Sequence, residues 1–190
     1  MCATPRSTTS NGSCVLRNLR AINFLGALLC AGALGYALYA QYVLRLEPCP
    51  LCIFQRITVA ALGVVFLVAA IHGARGWGRY VYAMLIGIAA LATAGVAGRH
   101  VYIQSLPPGS VPSCEAPLEV MLRYSKLFNV VKKVLTAGGE CSVVNWKFLG
   151  LSMPWWVLVF AVALGAVGIV VNLRGTLAGR HGPSGEVRLR

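Results

Sequence analysis

Residues 47–71, "EPCPLCIFQRITVAALGVVFLVAAI", decide how this chain is read. Two cysteines three positions apart, Cys49 and Cys52, run directly into an uncharged apolar segment, with Arg56 where that segment begins. The uncharged run of residues 57–71 has 15 residues, about 22 Å of helix at 1.5 Å per residue. That is short of a hydrocarbon core about 30 Å thick. Starting the helix at Cys49 lengthens it to about 34 Å. The spacing therefore predicts a membrane helix that carries a thiol pair in its opening turn, at interface depth.

Composition agrees. The 190 residues are 57% hydrophobic and 12% charged, about half the charge of a soluble domain. Further uncharged runs at 21–44, 80–98 and 154–171 each approach the roughly 17–25 residues that cross a bilayer. The expected architecture is an all-α integral membrane protein: a four-helix transmembrane bundle with spans at about 21–44, 49–71, 80–100 and 154–171. One short loop and one long loop, about 101–153, emerge on one face, and tails 1–18 and 173–190 on the other. Arg17 and Arg20 precede the first run as they would in a signal peptide, but the run exceeds an h-region of about 7–15 residues, so it is read as a retained span. Small residues at four-residue steps (Ala27, Ala31 and Gly35; Ala90, Ala94 and Gly98; Ala161 and Gly165) predict faces where helix backbones approach closely.

The net charge of +12 reads as basic flanks against anionic membrane lipid, with no nucleic-acid partner. The terminal side carries Arg6, Arg17, Arg20, Arg75, Arg79, Arg174, Arg180, Arg188 and Arg190. The opposite side carries Arg45, Arg56, Arg99, Arg123, Lys126, Lys132, Lys133 and Lys147, mostly in the long loop. Basic residues orient a protein chiefly from short loops and span ends, which puts the termini in the cytoplasm. The cysteines concur. Cys49, Cys52, Cys114 and Cys141 all fall on the face opposite the termini, Cys2 and Cys14 on the terminal side, and Cys30 within the first span. Disulfides persist outside the cytosol and not within it.

Four extracytoplasmic cysteines admit three readings: structural staples, a zinc site, or a redox relay. Ribbon-type zinc sites bring two close pairs, whereas Cys114 and Cys141 are 27 residues apart. Haem attachment needs a His after the second cysteine, and Ile53 stands there. A bridge between Cys114 and Cys141 could staple the long loop. The Cys49–Cys52 spacer closes too small a loop to stabilise much, and such pairs are typically redox-active. A tetraspan scaffold with structural disulfides remains the non-enzymatic alternative.

Pro50 suits the first turn of a helix, where its missing N–H is not needed. Cys52 then lies where the helix N-terminus favours a thiolate. Arg56 is four residues on, on the same face one turn deeper. A cation there needs compensation from a thiolate or a polar ligand atom. A second polar group, Arg99, His100, Tyr102 and Gln104 in "GRHVYIQ", ends the third span; His72 and His181 receive no role. In the long loop, "LPPGSVPSCEAPLE" reads as turn-rich, and "LEVMLRYSKLFNVVKKVL" as a short amphipathic helix on the bilayer surface or packed within the loop. "GGECS" gives Cys141 a flexible setting, and Trp146, Trp155 and Trp156 sit at interface depth. Two cysteines on mobile arms facing a fixed pair suit successive thiol–disulfide exchange.

"PCPLCIFQR", the four-span layout and "GGECSVVNWKFLGLSMPWW" closely resemble the bacterial disulfide bond formation protein B (DsbB) family, over about residues 19–171. The resemblance implies an enzyme of the inner membrane, a protein-thiol:quinone oxidoreductase that re-oxidises a soluble periplasmic DsbA-type thiol oxidase. It implies that Cys49 and Cys52 pass electrons to a membrane quinone, ubiquinone or menaquinone, with Cys52 facing it. It also implies that Arg56 lies beside the quinone, that Cys114 attacks the partner, and that Cys141 resolves it. His100 corresponds to a histidine near the quinone, although its flanking residues differ. The protein is expected to act as a monomer. A paralogue serving a dedicated partner is the alternative within the family.

Overall fold

The structure, a computed structural model, describes residues 8–73, 77–107, 129, 139–142 and 147–180. Four long helices dominate: α1 (Thr8–Tyr42), α2 (Pro50–His72), α3 (Gly78–Ser105) and α4 (Met153–Arg180). Each contains a stretch long and apolar enough to cross a membrane: Leu19–Tyr42, Pro50–His72, Gly78–Ser105 and Met153–Leu173. A 3-10 turn (Gly139–Ser142) packs on α3, and a two-stranded hairpin, β1 (Lys147–Phe148) with β2 (Leu151–Ser152), leads into α4. The helices pack in sequence, and α4 closes the ring against α1.

Helix limits exceed the expected spans at several ends. α1 begins at Thr8, inside the expected tail, and α3 runs on to Ser105, inside the expected loop. Hydropathy marks where lipid contact stops. Backbone hydrogen bonding continues beyond that point, at the start of α1 even through Thr, Ser, Asn and Gly residues of low helix propensity. The amphipathic segment around residues 118–135 falls almost entirely outside the described residues, as do Cys2 and Cys114.

The core shows how glycines act in this bundle. Phe66 of α2 is 2% exposed and packs with Cys30, Leu62, Ile86 and Ala90. Its ring fits between α1 and α4 because Gly26 and Gly168 carry no side chain: a Cβ at Gly26 would lie 2.9 Å from Phe66 Cδ1, and one at Gly168 2.7 Å from Cζ. A Cβ at Gly165 would lie 2.6 Å from that of Ala90, so α3 and α4 touch there nearly backbone to backbone. At the terminal end, Asn23 and Asn172 exchange side-chain hydrogen bonds at 3.2 and 3.5 Å, tying the first span to the last.

The four-residue stripes are corrected in part. Ala90, Ala161 and Gly165 lie in contacts, but Ala31 and Gly35 are exposed, and a Cβ added at Gly35 or Gly98 would meet no neighbouring element within 4 Å. A four-residue step overshoots one turn by about 40°, so two steps leave the contact face. The buried face of α1 alternates three and four: Asn23, Gly26, Cys30, then Ala37 and Ala40.

Gly165→Val is expected to destabilise the bundle by roughly 1–3 kcal/mol through overpacking, while Gly35→Ala leaves it unchanged. Denaturation of detergent-solubilised protein checks this, and equal effects at both positions would contradict the packing described.

Candidate functional site

The thiol pair is placed by the start of α2. Cys49 is the N-cap, with extended backbone (φ −67°, ψ 162°), and Pro50 opens the first turn. The Cys49 carbonyl accepts from Ile53 N–H at 3.2 Å. Cys52, three residues past the cap, therefore shares its end of the first turn. The two sulfurs are 3.3 Å apart, both as free thiols and both half-buried.

Around them stand one cysteine and one histidine from distant sequence. His100 of α3, 2% exposed, brings Nε2 to 3.8 Å from Cys49 Sγ. The ligand atoms of Cys49, Cys52 and His100 all lie within 4.8 Å of one another. A tetrahedral zinc with Zn–S bonds near 2.3 Å separates two sulfurs by about 3.8 Å; the 3.3 Å contact suits a pair that closes into a bridge. Cys141, in the 3-10 turn, is also 2% exposed and packs with Leu51, Ile103, Cys49 and Phe54. The expectation of a mobile arm is thus corrected for Cys141: apolar contacts with α2 and α3 bury its thiol.

Cys141 hydrogen-bonds Cys49, and Cys52 interacts with Cys49 and with His100. Contacts thus run from Cys141 to Cys49 and from Cys49 to Cys52, with His100 beside the pair. The neighbouring Cys141 thiol, together with burial, pushes Cys49 up from the ordinary value of 9.0 to about 12, against the lowering influence of Cys52. In the reduced state Cys49 is therefore a protonated thiol at neutral pH.

Arg56 lies one turn deeper and is half-buried. Its compensation comes from α1: Nη1 donates to Gln41 Oε1, and Nη2 donates to the Ala37 carbonyl at 3.0 Å. These bonds take the place of the thiolate or ligand atom expected from the sequence. Both partners are neutral oxygens, so the guanidinium keeps its full charge next to the thiols' helix turn. Gln41 was missed, since a single glutamine near a span end carries no motif. Gln55, three residues past Cys52, was missed for the same reason. It is 5% exposed. Its Nε2 and His100 Nδ1 are buried polar atoms with no hydrogen-bond partner among the described residues.

The "GRHVYIQ" group is dispersed by the helix, which turns about 100° per residue. His100 faces the thiols. Arg99 instead sits over the exposed Tyr102 ring at 5.5 Å. Gln104 Oε1 accepts from Ser152 Oγ at 2.6 Å, fastening the hairpin to α3. Trp156 Nε1 donates to the Phe148 carbonyl at 3.2 Å, closing the hairpin onto α4.

A family model described as "Disulfide bond formation protein DsbB" matches residues 19–171. The chain belongs to the DsbB family. Among relatives named disulfide bond formation protein B, that of Nitrosococcus oceani is 46% identical over 152 residues, covering 80% of this chain and 90% of the relative. That of Xanthomonas axonopodis pv. citri is 50% identical over 148 residues, covering 77% and 86%. That of Xanthomonas oryzae pv. oryzae is 45% identical over 165 residues, covering 86% and 96%. The match spans all four membrane helices and every cysteine of the thiol cluster.

Two outcomes follow from this geometry. Gln41→Ala should cost about 1.5–2 kcal/mol of stability, the lower part of the range for a hydrogen bond to a charged group because Arg56 is only half-buried, whereas Gln41→Glu should not. Equal stability of wild type and Gln41→Ala would mean the Arg56 bond contributes nothing. For Cys49 the sign is fixed by a raised folded value: the protonated thiol is favoured in the fold, and that preference is lost as pH rises from about 9 through 12. Alkylation of Cys49 in the fully reduced protein should therefore keep climbing beyond pH 10; a plateau below pH 9 would contradict the Cys141–Cys49 contact.

Proposed function

We propose that this protein re-oxidises a periplasmic DsbA-type thiol oxidase and passes the electrons through two cysteine pairs to a membrane quinone. The observation that carries the reading is the succession of sulfur contacts from Cys141 through Cys49 to Cys52, at the head of a membrane span and beside Arg56.

In this reading the partner's thiolate attacks Cys114 of a Cys114–Cys141 bridge, and Cys141 leaves. Cys141 then attacks Cys49 of a Cys49–Cys52 bridge, and Cys52 leaves as the thiolate. The line of contacts supports that order, because Cys141 touches Cys49. The partner's second thiol resolves the mixed disulfide, so the partner departs oxidised. Cys114 next attacks Cys141, which restores their bridge and leaves Cys49 and Cys52 as a dithiol carrying two electrons and two protons. Each exchange forms one S–S bond and breaks one.

The quinone's contribution, when bound, is oxidising power: the dithiol loses two electrons and two protons to it and closes to a bridge. Such a sink is needed because a DsbA-type partner is itself a strong oxidant, near −120 mV, out of reach of an ordinary structural disulfide below about −300 mV. The residues present fit a quinone. Gln55 Nε2 and His100 Nδ1 are buried polar atoms without a partner among the described residues, and leaving such atoms unpaired costs about 1–3 kcal/mol each. Carbonyl oxygens on an apolar ring would accept from Gln55 and from the Nδ1–H tautomer of His100. Arg56 favours negative charge on an oxygen or on the Cys52 sulfur nearby, and His100 can hold a proton beside the pair.

The matching location is the bacterial inner membrane, with both termini cytoplasmic and the four cysteines periplasmic. Basic residues at the terminal span ends and the redox demand of bridge formation support it. Residues 19–172 form the membrane domain in this reading, and the flanking tails stand apart from the chemistry.

With a reduced DsbA-type protein as donor, Cys52→Ser should abolish quinone reduction while the protein still inserts. Arg56→Ala should slow the quinone step roughly 10- to 100-fold, the loss of one charge-assisted hydrogen bond, and leave exchange at Cys114 intact. Arg56→Lys should retain part of the rate, because an ammonium lacks the planar fork. Cys141→Ser, which removes the bridge the partner attacks, should stop electron delivery to Cys49 and Cys52, and a DsbA-type donor lacking its second thiol should accumulate a mixed disulfide through Cys114 of the otherwise unaltered protein. Normal turnover by Cys52→Ser, or trapping through Cys49, would overturn the order given.

A further inference from the structure

The C-terminal end of α1 carries no sulfur, yet two of its oxygens meet Arg56. Gln41 is the second-to-last residue of α1 and is half-buried. Its Oε1 accepts from Arg56 Nη1, and the Ala37 carbonyl accepts from Nη2 at 3.0 Å. Ala37 and Gln41 are four residues apart, so both acceptors lie on one face of the helix. The chain then reverses at once: Leu46 N–H donates to the Ala40 carbonyl at 3.2 Å, and Arg45 takes a left-handed backbone (φ 56°). That turn leads straight to Cys49, so the helix that holds Arg56 and the helix that carries it are joined close to the clasp.

The clasp answers a specific difficulty. A guanidinium on a flexible stem near an interface can extend to headgroups or water, and one near the start of α2 gains nothing from that helix's dipole. The C-terminus of α1 carries the favourable partial charge, and its two oxygens draw the guanidinium across. Arginine has five N–H donors in a rigid fork. Bonds through both Nη1 and Nη2 fix the plane of that fork and leave its other donors for a further acceptor. Both α1 acceptors are neutral. A carboxylate in place of the Gln41 amide would bind more strongly, but it would cancel the charge on which the quinone step draws.

We propose that Gln41 is a positioning residue for the quinone step. It holds Arg56 one turn below the thiol pair without neutralising it, so the guanidinium meets negative charge forming on a quinone oxygen or on Cys52 without having to be rearranged. Among the described residues, the side chain of Gln41 bonds Arg56 alone. Gln41 can act only if Arg56 does, so this role rests on the quinone reading given to Arg56. A purely structural bond would make rate follow stability. A positioning bond separates the two, because a glutamate at this place keeps the bond and loses the free charge.

The test follows quinone reduction by the full chain in detergent, with a short-chain ubiquinone or menadione as acceptor and a reduced DsbA-type protein as donor. Denaturation of the same samples gives their stability. Gln41→Glu should be as stable as wild type yet slow the quinone step about tenfold, within the range expected for Arg56→Ala. Gln41→Met, close in length but without the oxygen, should slow it at least about threefold. On an Arg56→Ala background neither substitution should slow it further by more than about twofold, because the group they act through is gone. Tyr42→Ala, at the adjacent residue, which is 69% exposed, should stay within about twofold of wild type. Formation of the Cys114 mixed disulfide should be unchanged in every Gln41 variant. If Gln41→Glu fails to accumulate, Gln41→Met and its double variant with Arg56→Ala decide the question. The role of Gln41 is overturned if its variants turn over as wild type while Arg56→Ala is slow. It is also overturned if they slow the Arg56→Ala protein as much as they slow wild type, or if Tyr42→Ala is equally slow. Normal turnover by Arg56→Ala would instead remove the quinone reading of Arg56, and the role of Gln41 with it.

Discussion

The site depends on where α2 is obliged to begin. A span in hydrocarbon must satisfy its backbone polar groups within the helix, and its first turn is the one place where N–H groups remain unused. Pro50 fits that turn and fixes Cys49 as the cap. Everything redox-active is then measured from this one boundary. Cys49 and Cys52 share the opening turn, Arg56 falls one turn below, and the apolar length beneath them still suffices to cross the membrane. A start four residues later would leave both thiols in a loop, off the helix that places them.

The rest of the bundle holds that turn still. α1 supplies Gln41 and the Ala37 carbonyl to anchor Arg56. α3 supplies His100 against Cys49 and, through Gln104, a clasp on the hairpin that precedes α4. Lower down, Phe66 is seated between two glycines of different helices, and Gly165 meets Ala90. Lipid gives apolar side chains little reason to prefer one another over acyl chains, so close packing and interhelical hydrogen bonds have to provide the association. The structure uses glycine clefts at mid-depth and an asparagine pair at the terminal end.

The two ends of the bundle differ in chemistry. At the thiol end, Gln55 Nε2 and His100 Nδ1 are buried polar atoms with no partner among the described residues. At the far end Asn23 and Asn172 hydrogen-bond each other across the first and last spans.

The sequence by itself determined the membrane class, the four spans, and the position of Cys49 and Cys52 in one opening turn with Arg56 a turn below. These follow from run length, residue type and helical spacing, which are local properties. Only the tertiary structure decided which helix answers Arg56, that His100 rather than its neighbours meets the thiols, that Cys141 is buried against Cys49, and which small residues touch. Those facts depend on how each helix is rotated about its axis. Rotation is set by packing partners far away in sequence, and a four-residue stripe such as Ala27, Ala31 and Gly35 misjudges it because the repeat drifts off the contact face.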